Sequence, residues 1–347
     1  MASGFRAIEF YSGIGGLHQA LMQSGLSPPL QVCCSIDWDQ SAAAVYEANY
    51  GMKPLQKDIS KLTFEDLEPF HANLWLASPA CQPYTVLGLQ KQERDPRAQS
   101  FLHLMTNVLP EMVSRGSNPN YLLVENVAGF ETSTTRNLVL DLLQNLGYST
   151  IEFLLTPKQY GVPNSRLRYY LVARTAPFLS AGDGGTVLYH IPSNPEEPPC
   201  SISKYLDRQV DPGTEIPDRI LERWGQLFDI VLPSSTTSCC FTRGYTHLIE
   251  GAGSILQTNE ALQTSTTFDM FMDQRNKGVV SHVQTLHPLG LRFFSPEELL
   301  RLFHLSTLAH SFTWPEKVSR KTKYRLIGNS INVAVVSRVM KFLGSDA

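Results

Sequence analysis

Short apolar runs alternate with stretches of helical periodicity over the first half of the chain. The apolar, β-prone runs predict strands at 7–11 (AIEFY), 31–36 (QVCCSI), 74–78 (LWLAS), 121–124 (YLLV) and 168–173 (RYYLVA). Apolar residues at helical spacing predict helices at 17–25 (LHQALMQSG), 41–50 (SAAAVYEANY) and 138–146. This alternation predicts an α/β fold with a doubly wound, Rossmann-like parallel sheet and helices on both of its faces.

The pattern changes near residue 175, where a segment rich in Pro, Gly and Ser (175–201) predicts a linker. From there to residue 290 the alternation is lost, and 239–258 (CCFTRGYTHLIEGAGSILQT) predicts strands and loops. After Leu291 the chain returns to helix, first in SPEELLRLFHL and then after the turn GNSIN at 328–332. We therefore predict a main domain at 1–185, a small inserted domain at 186–290 and a return to the main domain at 291–347.

Polar residues stand where several of the predicted strands end. They are Ser12, Asp37, Asp58, Ser78 and Glu125, with Lys57-Asp58-Ile59 interpreted as a further strand end. In an open α/β sheet, ligands bind outside the carboxyl ends of the strands, so one site is expected at this edge.

The turn SGIGG lies between the first strand and the first helix. Its G-x-G-G spacing departs from the dinucleotide fingerprint, no phosphate-loop lysine follows, and alone it is equally a helix N-terminal turn. Asp37 stands where an acid commonly binds ribose, Trp38 offers a flat apolar face, and Asp58 can accept from an amino group. Together these residues favour a nucleoside-containing cofactor, for which S-adenosylmethionine is a natural candidate.

Cys81 lies between Pro79 and Pro83 in the stiff loop SPACQPYT. A free cysteine is most often simply buried, but a stiff loop on the cofactor side of the sheet suits a thiolate nucleophile. Glu125 is either an exposed acid or a buried carboxyl whose pKa rises, so that it carries a proton near neutrality.

Two arginines, Arg166 and Arg168, lie in the run QYGVPNSRLR at 159–168. Residues two apart in an extended segment face the same side, where two guanidinium groups can hold a carboxylate, a phosphate or a carbonyl oxygen. Taken singly, each arginine is more often just solvated.

The composition limits the class of protein. The chain has 347 residues, 42% of them hydrophobic, and a net charge of −3, so any nucleic-acid surface must be local. Cations cluster in three places: Lys317, Arg320, Lys321, Lys323 and Arg325; Arg243 beside Tyr245 and His247; and Lys91, Arg94 and Arg97. The cysteine spacing suits neither a disulfide framework nor zinc, and no signal peptide or run of about 18 apolar residues is evident. We therefore expect a reducing compartment and no membrane span.

In their order along the chain, these segments resemble the motifs of the cytosine-5 methyltransferases. The matching segments are FYSGIGG, SIDW, KDI, SPACQP, ENV, QYGVPNSRLR and GNSIN, which together cover nearly the whole chain. Within the family, the block at 240–257 that opens with Cys240-Phe241-Thr242 resembles the tRNA(Asp) branch, long classed as a second type of DNA methyltransferase.

The resemblance implies a class I methyltransferase sheet in an S-adenosylmethionine-binding catalytic domain, with a small target-recognition domain at 186–290. It implies a catalytic set of Cys81, Glu125, Arg166 and Arg168, in which the Cys81 thiolate attacks C6 of a cytosine. It implies a cofactor pocket of Phe10, Ser12, Gly13, Ile14, Gly15, Gly16, Asp37, Trp38, Asp58, Ile59, Ser78, Asn329 and Ser330. For the substrate it implies Asn126, Cys240, Thr242, Arg243, Lys321 and Lys323.

Two segments depart from the family pattern. Ala80 precedes Cys81 where the family usually has proline, which makes the loop less rigid and predicts slower turnover rather than inactivity. LFHLS at 302–306 stands where the family commonly has a Gly-Phe-Pro turn, which affects packing more than chemistry.

Three hypotheses for the activity stay open. The first is methylation of C5 of an anticodon-loop cytosine in tRNA(Asp). The second is the same chemistry on DNA, which the small insert disfavours, and the third is a nucleic-acid-binding protein that has lost catalysis. The expected partners are tRNA(Asp) and, weakly, DNA, with no membrane. We expect a monomer in the cytoplasm, the nucleus or both.

Overall fold

The computed structural model describes residues 4–79, 96–178, 185–192, 194–248, 250–308 and 310–345. Ala80, Cys81, Lys91 and Arg94 lie outside these residues, as does the side chain of Arg97. Statements about the catalytic loop are therefore limited to the residues that flank it.

The described strands form one large sheet and one small sheet. They are β1 Phe5–Phe10, β2 Leu30–Ile36, β3 Leu74–Ala77, β4 Tyr121–Val127, β5 Ser149–Leu155, β6 Arg168–Arg174, β7 Val187–Leu188, β8 Ile230–Val231, β9 Ile255–Gln257 and β10 Leu291–Arg292. The large sheet has seven strands in the order β2-β1-β3-β4-β6-β5-β7, and the small sheet has the order β10-β9-β8.

The large sheet confirms the doubly wound α/β prediction, with one difference in strand direction. Neighbours from β2 to β4 are parallel, whereas β6 runs antiparallel to both β4 and β5. The predicted all-parallel sheet is therefore wrong at β6. Strand order reverses at β1 and β3, so the carboxyl ends of these two strands form the crevice where ligands bind in such sheets.

Helices cover both faces of the large sheet, as predicted. The described helices are α1 Gly16–Met22, α2 Gln40–Tyr50, α3 Phe64–Leu67, α4 Pro96–His103, α5 Leu109–Ser114, α6 Thr134–Asn145, α7 Asp218–Trp224, α8 Thr264–Asn276, α9 Pro296–Leu302, α10 Arg320–Asn329 and α11 Val333–Ser345. One core packs α1, α2 and α11 against the sheet, and the other core packs α3 to α6 against the opposite face.

Two polar residues differ from their predicted positions at strand ends. Asp58 does not end a strand: its side chain accepts from the backbone N–H of Ser60 and caps the 3-10 turn Ile59–Lys61. Glu125 lies within β4, because the strand continues to Val127 through pairing with Arg168. The pairing buries Glu125 instead of leaving it at an exposed end.

The inserted region contains helices that its sequence did not predict. Besides the small sheet it forms α7, α8 and a 3-10 segment at His282–Leu289, which pack around a separate apolar cluster that includes Phe271. In addition, β7 pairs with β5 of the large sheet, and β10 pairs with β9 of the small one. The domain boundaries stay a prediction.

One C-terminal window, Arg320–Gly344, is long and apolar enough to cross a membrane, counting only the described residues. However, 72% of it is buried inside the protein, and it comprises two helices, α10 and α11, separated at Ser330–Asn332. The apolar residues of α11 pack against α1 and the sheet, so a core role accounts for its composition.

Candidate active site

The glycine-rich turn after β1 adopts a backbone that favours glycine. Gly13 and Gly15 have φ values of 53° and 85°, which L side chains rarely adopt. A Cβ at Gly15 would also overlap the ring of Tyr50, whose hydroxyl donates to the Gly15 carbonyl at 3.0 Å. Ser12 opens the turn, and its buried Oγ has no hydrogen-bond partner among the described residues.

Asp37 joins the end of β2 to this turn. One of its oxygens accepts from the Gly13 N–H at 2.7 Å, and the other accepts from the Asp39 N–H at 2.8 Å. Burial raises the pKa of Asp37, although these backbone donors oppose the shift. Trp38, beside it, is 81% exposed, so its ring is open to a ligand.

Four further residues of the predicted cofactor pocket lie around the carboxyl ends of β1 and β3. The Ser78 hydroxyl donates to the Tyr11 carbonyl at 3.2 Å, which joins these two strand ends. Phe10, Ile14 and Ile59 are buried in the apolar cores. Asp58 is exposed, and its bonds to Ser60 lower its pKa.

The last motif lies directly against the first motif. A Cβ at Gly16 would meet a side-chain carbon of Ile331 at 2.5 Å and the Ser330 Oγ at 3.1 Å. Asn329 ends α10 and is exposed. The sequence therefore brings residues more than three hundred positions apart to one crevice, as the predicted pocket requires.

The residues of this crevice fit S-adenosylmethionine. The Ser12 Oγ is a buried hydroxyl that needs a partner, the glycine turn allows close approach, and Trp38 exposes an aromatic face. Asp37 keeps further lone pairs for ribose hydroxyls besides its two backbone bonds. We expect these residues to hold the cofactor.

Glu125 is a buried carboxyl with a weak ion pair. Its side chain faces Arg168, with 3.4 Å between the Arg168 Nε and the Glu125 Oε1. Burial raises the pKa of Glu125, while the charges of Arg168 and Arg166 act in the opposite direction. The carboxyl can therefore hold a proton at a higher pH than an exposed glutamate can.

Arg166 is buried and held mainly by backbone carbonyls. It donates to the carbonyls of Phe241 at 3.0 Å and Ser330 at 2.5 Å, and its guanidinium carbon lies 5.2 Å from the Phe303 ring centre. Burial and the neighbouring charge of Arg168 lower the pKa of Arg166. These contacts join the arginine motif to the last motif.

Cys240 lies between the two arginines. Its Sγ is 3.4 Å from an Arg166 nitrogen and 3.8 Å from an Arg168 nitrogen, so both side chains face the same side, as their spacing predicts. Burial alone raises the pKa of the Cys240 thiol, but the two guanidinium charges outweigh it and lower that pKa below its ordinary value. The cluster therefore contains two cations, one carboxyl and one acidified thiol.

Cys240 is held in place by contacts that the sequence did not predict. The Asn164 side chain donates to the Cys239 carbonyl at 2.8 Å, and the Ser165 N–H donates to the Ser238 carbonyl at 2.8 Å. A Cβ at Gly328 would overlap the backbone of Thr242 and Arg243, so α10 lies directly against this block. The presence of Asn164 in the arginine motif QYGVPNSRLR is the sequence signal that could have indicated its bond to Cys239.

The remaining predicted substrate residues lie around this cluster. Asn126 is 1% exposed, and its Nδ2 has no partner in the part of the chain that the structure describes, so it can bind a ligand or the catalytic loop. Arg243 and Lys321 are exposed, whereas Lys323 lies 3.7 Å from Glu297 and over the Trp314 ring. Cys81 follows Ser78 by three residues and lies outside the described part of the chain.

Acids neutralise part of the predicted basic surface before GNSIN. Arg320 pairs with Asp211 at 2.8 Å, and Arg325 pairs with Asp39 at 2.5 Å. These pairs join α10 to the inserted region and to the start of α2. Arg320 and Arg325 therefore have acidic partners within the protein, although the sequence predicted them as part of a basic surface for RNA.

His304 accounts for the departure at LFHLS. Its φ is 58°, a left-handed value that favours glycine and that a histidine adopts with strain. The burial of Phe303 and Leu305 on either side holds this conformation.

Comparison with known proteins identifies the family of the chain. The sequence profile described as "C-5 cytosine-specific DNA methylase" matches residues 5–345. A Schizosaccharomyces pombe protein named "tRNA (cytosine(38)-C(5))-methyltransferase" is 39% identical, over 97% of this chain and 96% of its own length. A Dictyostelium discoideum protein named "DNA (cytosine-5)-methyltransferase" is 36% identical, over 98% of this chain and 94% of its own length.

The fold agrees as well. A crystal structure titled "S. pombe Dnmt2 methyltransferase" superposes with a TM-score of 0.80 at 37% identity and covers 98% of each chain. Because both the profile and these relatives span nearly all of the sequence, the chain belongs to the C-5 cytosine methyltransferase family.

Proposed function

We propose that the protein methylates C5 of cytosine 38 in the anticodon loop of tRNA(Asp), with S-adenosylmethionine as the methyl donor. The observation that carries the proposal is the cluster of Glu125, Arg166, Arg168 and Cys240 beside the cofactor crevice. The S. pombe relative, whose name states this reaction at cytosine 38, supports the choice of base.

In the proposed reaction, the Cys81 thiolate attacks C6 of the cytosine and forms an Sγ–C6 bond. Glu125 donates its proton to N3, which prevents negative charge from building up on the ring. The raised pKa of Glu125 supports this role, because the carboxyl must be protonated before the attack.

Arg168 and Arg166 act on the base and on Glu125. A guanidinium that contacts the base carbonyl stabilises the charge that develops there, and one such donor is worth on the order of 3 kcal/mol. Arg168 also orients Glu125 through their 3.4 Å contact. S-adenosylmethionine supplies, when bound, the methyl group that C5 receives.

The reaction ends with recovery of the aromatic ring. C5 loses its proton, the C5–C6 double bond re-forms, and Cys81 leaves as a thiolate while N3 returns its proton to Glu125. The net change is replacement of the C5 hydrogen by a methyl group, with release of one proton.

An anticodon loop suits this chemistry better than a duplex. The target base must leave its stack to reach Cys81, and bases in a loop are already partly unstacked. Arg243 and Lys321 are exposed and suit contacts with RNA phosphates. The predicted monomer and the cytoplasmic or nuclear location stay predictions.

DNA methylation is the second candidate, because the name of the Dictyostelium relative states that reaction. The test measures methyl transfer from labelled S-adenosylmethionine to a tRNA(Asp) transcript, the same transcript with uracil at position 38, and duplex DNA. The variant is Cys81→Ala, and Cys33→Ala is the matched control because Cys33 bonds only the Ala7 carbonyl on β1 among the described residues.

We expect label in the unaltered transcript alone, lost in Cys81→Ala and kept in Cys33→Ala. Label in the duplex but not in the transcript would favour the DNA reaction. Binding of tRNA without label in any substrate would contradict both enzymatic proposals.

A further inference from the structure

A buried glutamate that the proposed reaction does not use lies beneath the cofactor turn. Glu9 is in β1, the strand that leads into Ser12 and Gly13, and its side chain is 0% exposed. One oxygen accepts from the His18 N–H at 3.2 Å, in the first turn of α1. The other bonds the Tyr46 hydroxyl of α2 at 2.8 Å. Glu9 therefore links the two helices that flank the turn.

Glu9 differs from the other buried glutamates because no described cation pairs with it. Glu152 pairs with Arg136, Glu298 pairs with Arg292, and Glu125 faces Arg168. Around Glu9 the described partners are the Tyr46 phenol and the backbone N–H groups of His18 and Leu17. Burying an ionised carboxylate without a cation is costly, so this environment favours the neutral acid.

The partners continue as a chain of neutral groups that reaches the cofactor turn. The Tyr46 hydroxyl donates to an ionised Glu9 and also lies 2.7 Å from the His18 Nδ1. When Glu9 is protonated, its carboxyl O–H can donate to the Tyr46 oxygen, and the Tyr46 hydroxyl is then free to donate to His18. The His18 ring stacks on Tyr50 at 4.1 Å, and Tyr50 in turn donates to the Gly15 carbonyl. The chain thus connects the Glu9 proton to the position of Gly15.

The titratable groups facing this chain come from every element packed around it. They are Tyr46 and Tyr50 on α2, His18 on α1, Asp37 after β2 and His310 before α10. Burial raises the pKa of Glu9 to about 8, although its bonds to Tyr46 and His18 oppose the shift. Burial, together with His310, lowers the pKa of His18 to about 4. Near neutral pH the acid is therefore protonated and the imidazole is uncharged.

We propose that Glu9 is a positioning residue for the cofactor turn: its neutral carboxylic acid donates through Tyr46 to His18 and keeps Gly15 and the first turn of α1 in the shape that binds the cofactor. The inference rests on the proposed function, because it assigns the turn to S-adenosylmethionine. Loss of the Glu9 proton reverses the Tyr46 bond and places a second negative charge near Asp37. Cofactor affinity then falls with rising pH.

The test measures the Kd of S-adenosylhomocysteine by calorimetry from pH 6.5 to 9.5, without tRNA, for the wild type and Glu9→Gln. The glutamine amide donates to Tyr46 as the acid does, but it cannot ionise. We expect the wild-type Kd to be about 30-fold higher at pH 9.5 than at pH 7, relative to the variant, because only the protonated fraction is competent. The amino group of the ligand titrates equally in both proteins, so the ratio of the two Kd values isolates Glu9.

A second measurement covers the folding of the variant. Because the pKa of Glu9 is raised in the folded protein, wild-type stability falls between the ordinary value of 4.5 and about pH 8, where only the unfolded chain ionises. Without cofactor, Glu9→Gln should therefore melt above the wild type by a margin that grows from pH 5 to pH 8.

Tyr46→Phe removes the middle of the chain and gives a test that does not depend on Glu9→Gln. We expect its Kd at pH 7.5 to rise roughly tenfold, the effect of about one hydrogen bond. Tyr148→Phe is the matched control: its hydroxyl is equally buried but bonds the Pro119 carbonyl, so its Kd should not change.

Parallel Kd profiles for the wild type and Glu9→Gln would overturn the inference alone, as would equal Kd values for the two tyrosine variants. A wild-type protein that binds no S-adenosylhomocysteine at any pH would overturn the proposed function together with this inference.

Discussion

Two buried glutamates lie on the strands that flank β6, and they differ in how closely their carboxyl groups contact an arginine. Glu152 on β5 accepts from the Arg136 Nε at 2.7 Å, from a terminal Arg136 nitrogen at 2.5 Å and from the Tyr169 hydroxyl at 2.6 Å. Glu125 on β4 has one described contact, at 3.4 Å to Arg168, whose charge also acts on Cys240.

The difference separates a structural ion pair from a reactive one. A carboxylate with a two-point arginine contact and a phenol bond has its lone pairs occupied and contributes to a fixed core. A buried carboxyl that shares its cation with a thiol keeps free lone pairs and a raised pKa, so it can exchange a proton with a substrate. Both residues are buried glutamates, and they differ in how many hydrogen bonds their carboxyl oxygens accept.

The largest expected effect is that of Glu125→Gln on catalysis. Glutamine keeps the shape but cannot donate a carboxyl proton to N3, so kcat/KM for tRNA methylation should fall between about 10²- and 10⁴-fold. Steady-state kinetics and melting curves measure it, with Glu152→Gln as the matched control. We expect the control to lower the melting temperature and leave kcat/KM within about threefold. A Glu125→Gln enzyme within tenfold of the wild type would remove the distinction between the two sites.

The next effect concerns stability. Arg136→Met leaves Glu152 buried without its cation, so the free energy of unfolding should fall by about 3–5 kcal/mol. Arg168→Met should cost less, because Glu125 already has a raised pKa and can take up a proton instead. Urea denaturation at neutral pH compares the two variants. Equal losses would mean that Glu125 depends on its arginine as strongly as Glu152 does.

Replacing arginine by lysine should affect the two pairs differently. Lysine is a point charge and cannot reach Glu125 and Cys240 together, so Arg168→Lys should lower kcat/KM on the order of 10- to 100-fold. Arg136→Lys changes only the structural pair and should lower the melting temperature without slowing methylation. Initial rates at tRNA concentrations below KM measure the first effect. A rate unchanged in Arg168→Lys would show that charge alone suffices.

The smallest expected effect is a shift in the pH profile of Cys240→Ala. Without the acidified thiol, both guanidinium charges act on Glu125, favour its ionised form and lower its pKa. The protonated form is the active one, so the alkaline limb of kcat/KM should move to lower pH. Cys200→Ala is the control, because the Cys200 side chain contacts the Tyr205 hydroxyl and neither arginine among the described residues. A limb that stays in place or moves to higher pH would contradict the coupling.

The pattern of apolar residues predicted most of the large sheet but not the direction of β6. The side chains of RYYLVA are buried on both faces of the sheet, and they would be so whichever way the strand ran. Its sequence therefore does not distinguish parallel from antiparallel pairing. Asp58 was misplaced because an acid that caps a 3-10 turn looks like an acid after a strand. The helices α7 and α8 were missed because the apolar pattern of the insert gave no helical signal.

The chemistry of the site was less predictable than the fold. Glu125 and the two arginines could be chosen from strand position and spacing, whereas Cys240 came only from a family resemblance, since its contacts span more than seventy residues. Glu9 was not singled out because AIEF reads as an ordinary strand. Its only signal was an acid inside a strand that was predicted to be covered on both faces.

The most direct test of the contrast between the two glutamates is the titration of the Glu125 carboxyl. Carbon NMR of glutamate-labelled protein, with the signal assigned from its absence in Glu125→Gln, gives the midpoint in the folded enzyme. Our interpretation requires a midpoint above the ordinary value of 4.5, which moves down in Cys240→Ala. A midpoint at or below 4.5 would mean that Glu125 is a saturated structural carboxylate and does not carry the proton for N3.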